Sequence, residues 1–185
     1  VTVQTAVVDG SIATNQTICT GGDPAAFTSV AGGSGSGVIS YQWQSSTSSS
    51  STGFLNIAGA TSATYDAPSG LTTTTYYKRL TVSTQNAYAC NSTGTNVITV
   101  TVLADPTITS QPVGITECIG GTTSLSVSAT GGTPGLTYQW YSNASNANTG
   151  GTSILNATSS TYTPASTSAG TVYYYCIVSA SGNGC

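Results

Sequence analysis

The chain repeats itself at the length of one domain. Tyr41-Gln42-Trp43 returns 97 residues later as Tyr138-Gln139-Trp140. A Cys and two glycines precede each copy: Cys19, Gly21 and Gly22, then Cys118, Gly120 and Gly121. A Tyr pair follows each, Tyr76-Tyr77 and Tyr173-Tyr174, and then a Cys, Cys90 and Cys185. From Tyr41 to Tyr77 the match runs without a gap. Ile57 meets Ile154, Ala60-Thr61-Ser62 meets Ala157-Thr158-Ser159, and Thr64-Tyr65 meets Thr161-Tyr162. A unit of this size can bury its own core, so the 185 residues are expected to form two similar domains.

Each unit reads as strands. Val97-Ile98-Thr99-Val100-Thr101-Val102 and Ser124-Leu125-Ser126-Val127-Ser128 alternate or are β-branched, as a half-buried pleated surface requires. Gly and Ser clusters at residues 32–37, 45–53 and 131–135 punctuate the strands. Turn signals recur about every 8–12 residues, the spacing of a β-sandwich. The pattern predicts an all-β chain. Trp43 and Trp140 are expected to plug the space between two sheets, beside Phe27 and Val30 in one domain and Leu125 and Val127 in the other. Tyr65, Tyr162, Tyr76 and Tyr174 are expected to join these cores.

Toward the N-terminal side of each unit the offset becomes 99, pairing Cys19 with Cys118 and Val1-Thr2-Val3 with Val100-Thr101-Val102. Residues 100–102 are predicted to be the last strand of domain 1. Residues 1–4 are then expected to be the last strand of a preceding repeat, 5–103 domain 1, and 104–185 a domain 2 lacking its last strand, because Cys185 matches Cys90. The chain holds no Met, which fits the same expectation of a segment from a longer tandem array. A competing reading is donor-strand exchange, in which Val1 and Val3 complete the open sheet of an identical subunit.

The motifs Cys-x-Gly-Gly, Tyr-Gln-Trp, Gly59-Ala-Thr-Ser-Ala-Thr-Tyr65, Thr74-Thr-Tyr-Tyr-Lys-Arg79 and a Cys before the Val-rich strand of residues 96–102 resemble a known family. They are similar to the immunoglobulin-like repeats of large secreted cell-surface and adhesin proteins of Bacteroidetes. The likeness spans nearly the whole chain. Tyr174-Tyr175-Cys176 looks like the Tyr-x-Cys of an immunoglobulin strand F, and Val127 stands where the partner Cys of strand B would be. The resemblance implies two tandem immunoglobulin-like sandwiches acting as extracellular spacers or adhesive stalks, with no catalysis. The resemblance transfers no binding site; the expected partners are neighbouring repeats or identical subunits in a filament, and the competing readings are a module that binds surface glycans or proteins and accessory domains of a secreted enzyme.

Composition excludes several other functions. Charged residues are 4% of the chain, against roughly 25% in ordinary soluble proteins. Lys78 and Arg79 are the only cations, too few to displace counterions from nucleic acid or to form a polybasic membrane patch. No apolar run approaches the ~20 residues of a spanning helix. Without His, neither a Ser-His-Asp nor a Cys-His device can be assembled within these residues. The Cys spacings do not suit zinc, and the five acids, among them Asp105 at the domain junction, form no sequence pair for glycoside hydrolysis or calcium. No cofactor or metal is expected. Lys78-Arg79 reads as a solvated sheet-face pair or as an anion or partner contact, with Lys78 open to an isopeptide-type crosslink.

Five Cys in a Lys-poor, Ser/Thr-rich β chain point to an oxidising, extracellular setting. Repeat logic pairs Cys19 with Cys90 and Cys118 with Cys185, each bond closing a loop of about 70 residues and contributing ~4 kcal/mol. The alternative joins Cys118 to Cys176. The first pairing fails if the Cys-x-Gly-Gly turn and the last loop lie at opposite ends of the sandwich, because the Cα atoms could not then come within ~7 Å. Cys176 otherwise reads as a small buried residue. Tyr88, expected in the loop before Cys90, and the polar run 45–53 are the candidate ligand contacts. Asn15, Asn91, Asn143 and Asn156 begin N-glycosylation sequons.

Overall fold

The computed structural model describes residues 3–132 and 135–180, and among them every regular element is a strand. The chain divides into two compact units, Val1–Val102 and Leu103–Cys185, referred to as domains 1 and 2.

Domain 1 contains β1 (Ser11–Ala13), β2 (Gln16–Cys19), β3 (Thr28–Ala31), β4 (Val38–Ser46), β5 (Leu55–Asn56), β6 (Thr75–Gln85), β7 (Tyr88–Asn91) and β8 (Ile98–Leu103). One sheet pairs β1 with β3 antiparallel, and a bridge between Phe27 and Tyr65 continues that layer. The other runs β2-β8-β6-β4-β5. β8 borders the first residues of β6, while β7 borders the last, folding back through a two-residue turn between Gln85 and Tyr88. Asn86 and Ala87 both take positive φ there, as a type I′ hairpin demands. Tyr88 therefore lies on a strand and not in a loop. No Asn-Gly or Asp-Gly marks the turn, so its sequence signal was weak.

Along β6 every second side chain is buried, the period of a strand with one face on the core. That parity selects Tyr77, 2% exposed, and leaves Tyr76 half-buried on the other face. The expectation that Tyr76 joins the core is thereby corrected. Val30 is likewise 67% exposed, whereas Phe27 is fully buried. Phe27 packs 4.9 Å from the Tyr77 ring and 5.8 Å from Trp43, with Tyr65 5.5 Å from Trp43. Ile12, Ile98 and Val100 complete this core.

Domain 2 contains β9 (Thr107–Ser110), β10 (Leu125–Ser126), β11 (Ser128–Thr130), β12 (Leu136–Asn143), β13 (Thr152–Ser153), β14 (Thr161–Tyr162) and β15 (Tyr173–Ala180). β9 pairs with β11 and β10 with β14, facing a sheet of order β13-β12-β15. Trp140 is fully buried among Leu125, Val127 and Ala157, with Tyr162, Tyr174 and Cys176 packed around it.

The repeated motif is one hydrogen-bonded device. In domain 1 the Trp43 N–H donates to Ala60 O at 2.9 Å, the Ile57 N–H to Trp43 O at 2.9 Å, and the indole Nε1 to Ser62 O at 2.9 Å. Gln42 Nε2 donates to Ile57 O at 2.8 Å. Domain 2 copies each bond with Trp140, Ala157, Ile154, Ser159 and Gln139. The clasp lets a buried indole keep its N–H satisfied, which explains why the residues around 57–62 recur with the tryptophan.

Candidate functional site

The Cys-x-Gly-Gly motif forms a turn. Gly21 and Gly120 adopt φ of 78° and 84°, a region in which a side chain is strained. The Gly22 N–H donates to Cys19 O, and the Gly121 N–H to Cys118 O, both at 2.9 Å. The turn is pinned to the segment before the strand that carries the Tyr pair, β6 or β15: Gly21 N–H to Leu71 O at 2.7 Å, and Gly120 N–H to Ser166 O at 2.8 Å.

That placement overturns the expected Cys19–Cys90 bond, and Cys90 is a free, exposed thiol. The Cys19 turn bridges Leu71, just before β6 begins, while Cys90 pairs with Ser83 near its other end. Thr75 and Ser83 are separated along β6 by roughly 26 Å, far beyond disulfide reach. Cys118 is also a free, exposed thiol, so neither Cys185 nor Cys176 is bonded to it. Cys185 itself lies outside the described residues. Cys176 is half-buried opposite Trp140, and burial pushes its thiol pKa up.

The two cations part company. Lys78 extends over the Phe54 ring at 4.6 Å. Arg79 is fully buried between the sheets, which corrects its reading as a solvated residue. Its Nη1 donates to Ala63 O at 2.5 Å and its Nη2 to Ala31 O at 3.0 Å. The guanidinium lies 4.2 Å from the Tyr41 centroid and 5.9 Å from that of Trp43. Burial lowers its pKa, opposed by Tyr41 and Asp9. Asp9 accepts the Gly94 N–H at 3.0 Å and the Thr93 hydroxyl at 3.2 Å. Sequence reasoning missed this role because a strand-edge cation and a buried one share the same local pattern.

The candidate contacts differ in character. Tyr88 is 76% exposed, and its carbonyl accepts a bond from Gln4 Nε2 at 3.0 Å. The 45–53 run is an organised polar turn around buried Ser46, whose hydroxyl donates to Thr52 O at 2.8 Å. Asn15 and Asn143 spend their side chains on backbone: Asn15 Oδ1 accepts the Thr99 N–H at 2.9 Å, and Asn143 Nδ2 donates to Thr149 O at 3.0 Å. Val3 is 84% exposed and belongs to no strand, and Val1 lies outside the described residues. Among the described residues no His, Cys, Asp or Glu groups gather as metal ligands, and no helix is long and apolar enough to cross a membrane.

A broad recess lies in domain 2. A cavity of about 950 Å³ lies between residues 112–119 and the start of β15, lined by Ile115, Ile119, Leu125, Val172 and Tyr174. Glu117 lies at this wall. Its carboxylate accepts bonds from the Ser166 hydroxyl and the Thr123 N–H, which hold its pKa below the usual range. The cavity brings together no nucleophile–base pair. Its chemistry is an apolar surface beside a strand edge.

Residues 8–104 match the family described as "Domain of unknown function (DUF8696)". Residues 104–185 match the family described as "Ig-like domain CHU_C associated". The second match agrees with the all-β sandwich architecture and points to a non-catalytic, extracellular-type module. No curated protein matches the chain.

Proposed function

Because this chain belongs to the DUF8696 family through residues 8–104 and carries an Ig-like second domain, we propose that it is a structural and adhesive repeat module. In this reading it is part of a secreted Bacteroidetes cell-surface stalk or extracellular filament, and its partners are neighbouring repeats or identical subunits. The observation that carries the reading is the duplicated tryptophan clasp, one per domain, which builds two sandwiches around the same device. Function then resides in number and spacing rather than in a reacting group. Asp105-Pro106 stands between the last strand of domain 1 and the first of domain 2, and proline limits the backbone there.

Force spectroscopy tests the spacer role. Stretching the chain should give two unfolding events, each releasing roughly 30 nm of contour for a unit of about a hundred residues. A single event at trivial force would count against a load-bearing role. A second reading, glycan or protein binding, is favoured by the exposure of Tyr88. A glycan array that finds a saturable ligand whose binding is abolished by Tyr88→Ala would replace the spacer reading with that one.

A further inference from the structure

The opening segment of domain 1 is joined to the stretch from β7 to β8 by side chains at one fixed spacing. Gln4 Nε2 donates to Tyr88 O at 3.0 Å. Asp9 Oδ2 accepts the Thr93 hydroxyl at 3.2 Å and the Gly94 N–H at 3.0 Å. Asn96 brackets Ile12: its Oδ1 accepts the Ile12 N–H at 3.0 Å, and its Nδ2 donates to Ile12 O at 2.8 Å. Asn15 Oδ1 accepts the Thr99 N–H at 2.9 Å. Each partner lies 84 residues further on, except Gly94, at 85. A constant difference means that the two segments run side by side in the same direction; an antiparallel pair would keep a constant sum. Amide and carboxylate side chains here do the work of ladder groups, and Asn96 supplies both a donor and an acceptor to one residue.

Both rails of this ladder are held. Residues 11–13 pair antiparallel with β3, and Val8 bridges to Ser34. On the other rail, β7 and β8 both pair with β6. Between them the Ser92 N–H donates to Thr81 O at 2.9 Å and the Thr95 N–H to Arg79 O at 3.0 Å. Ile98 and Val100 are buried in the core.

Direction decides how such a ladder meets force. The chain enters beside Gln4 and leaves beyond Thr99, at opposite ends of two parallel segments. Tension along the chain draws the segments past each other, so every rung is strained at once. Tension applied at one end of the ladder opens the rungs in turn. Rungs that share a load resist far more than rungs that fail singly, because forced unfolding is governed by the barrier to rupture.

We infer that this side-chain ladder is a shear clamp, the element that sets the force at which domain 1 yields. Asp9 and Asn96 carry two rungs each. The clamp goes beyond the stalk reading by naming where load is held, and its use in a stalk rests on that reading.

Single-molecule pulling of the 185-residue chain in two geometries tests it. End-to-end pulling shears the ladder. The exposed Cys90 thiol lies two residues from Tyr88, at the end of the ladder that holds Gln4, so pulling between the N-terminus and Cys90 peels it. Cys118→Ser removes the other exposed free thiol. In end-to-end traces domain 1 gives the longer step, being the longer unit. That step should need about twofold more force, or greater, than unfolding from Cys90. Asn96→Ala should raise the end-to-end rupture rate at fixed force by roughly tenfold and change the Cys90 value far less. If Asn96→Ala does not fold, Asn15→Ala at a more exposed rung should show the same split with a smaller change. Equal forces in the two geometries, or equal losses in both on substitution, would overturn the clamp. Two resistant domains without this split would leave the stalk reading standing.

Discussion

Domains 1 and 2 seat their tryptophans by the same bonds and then diverge at the residue paired with each. Trp43 stands across from Arg79, and Trp140 from Cys176. In domain 1 the space between the sheets holds a guanidinium that reaches carbonyls at Ala31, on β3, and at Ala63, two residues before Tyr65. In domain 2 a small thiol packs against an otherwise apolar cluster. The same skeleton thus accepts a cation or a small apolar group at its centre, provided the polar groups brought inside find partners. Arg79 ties one sheet to the other through two charge-assisted hydrogen bonds, a non-covalent link at the position where Tyr-x-Cys of domain 2 places its cysteine.

A second divergence concerns the segment before the Cys-x-Gly-Gly turn. Residues 16–19 form β2 beside β8, and Ile18 packs on the core. Residues 115–118 have no strand assignment, and Glu117 occupies the matching position.

The largest test of the likeness removes the shared device. Trp43→Ala should cost domain 1 about 3–5 kcal/mol, and Trp140→Ala should cost domain 2 a similar amount. Denaturation followed by circular dichroism measures both. A much smaller loss in domain 2 would mean that its clasp is not equivalent. The divergence is probed next by Arg79→Met, which strands two buried carbonyls and should cost about 3 kcal/mol. Cys176→Ala should cost about 1 kcal/mol. Trp43 and Trp140 fluorescence report the two domains separately, and an unchanged Arg79→Met protein would remove the inter-sheet tie from the comparison.

A finer contrast lies in the clasp loop. Gly59 has φ of 73° with open space around its α-carbon, and its counterpart Asn156 has φ of 60°. Gly59→Ala should cost about 1 kcal/mol, while Asn156→Gly should be near neutral. Equal effects would show that the loops bear different strain. The smallest effect is alkaline. Burial pushes the Tyr77 phenol up to about 12 from 10.0. The folded state holds this proton more tightly, so its contribution is complete below pH 10 and is lost as pH rises through about 12. Phenolate absorbance should place Tyr77 last to ionise, after the less covered Tyr174, whose pKa is raised from the same 10.0 by partial burial. The reverse order would contradict the difference in cover.

Much of the fold was legible because its key device is local. Residues 42–43 bond to residues 57–62 within a short span, so the pattern repeats intact in sequence. The last strand of domain 1 was readable from its alternation. The cysteine pairing was not: repeat spacing says that two Cys recur, but says nothing about which end of the sandwich each occupies. The choice of Tyr76 over Tyr77 failed because adjacent identical residues carry no parity signal. Arg79 and the β7 hairpin were hidden for a related reason, since neither burial of a cation nor an Asn-Ala turn has a distinctive local signature.

By itself the sequence determined two all-β units, their register and the residue at the centre of each core, because alternation and repetition are properties of short stretches. The tertiary structure alone decided which alternate face turns inward, which thiols are out of reach, where Arg79 finds its carbonyls, and that one edge of domain 2 borders a cavity. Each of these depends on distances between segments remote in the chain, which sheet packing sets and local composition does not record.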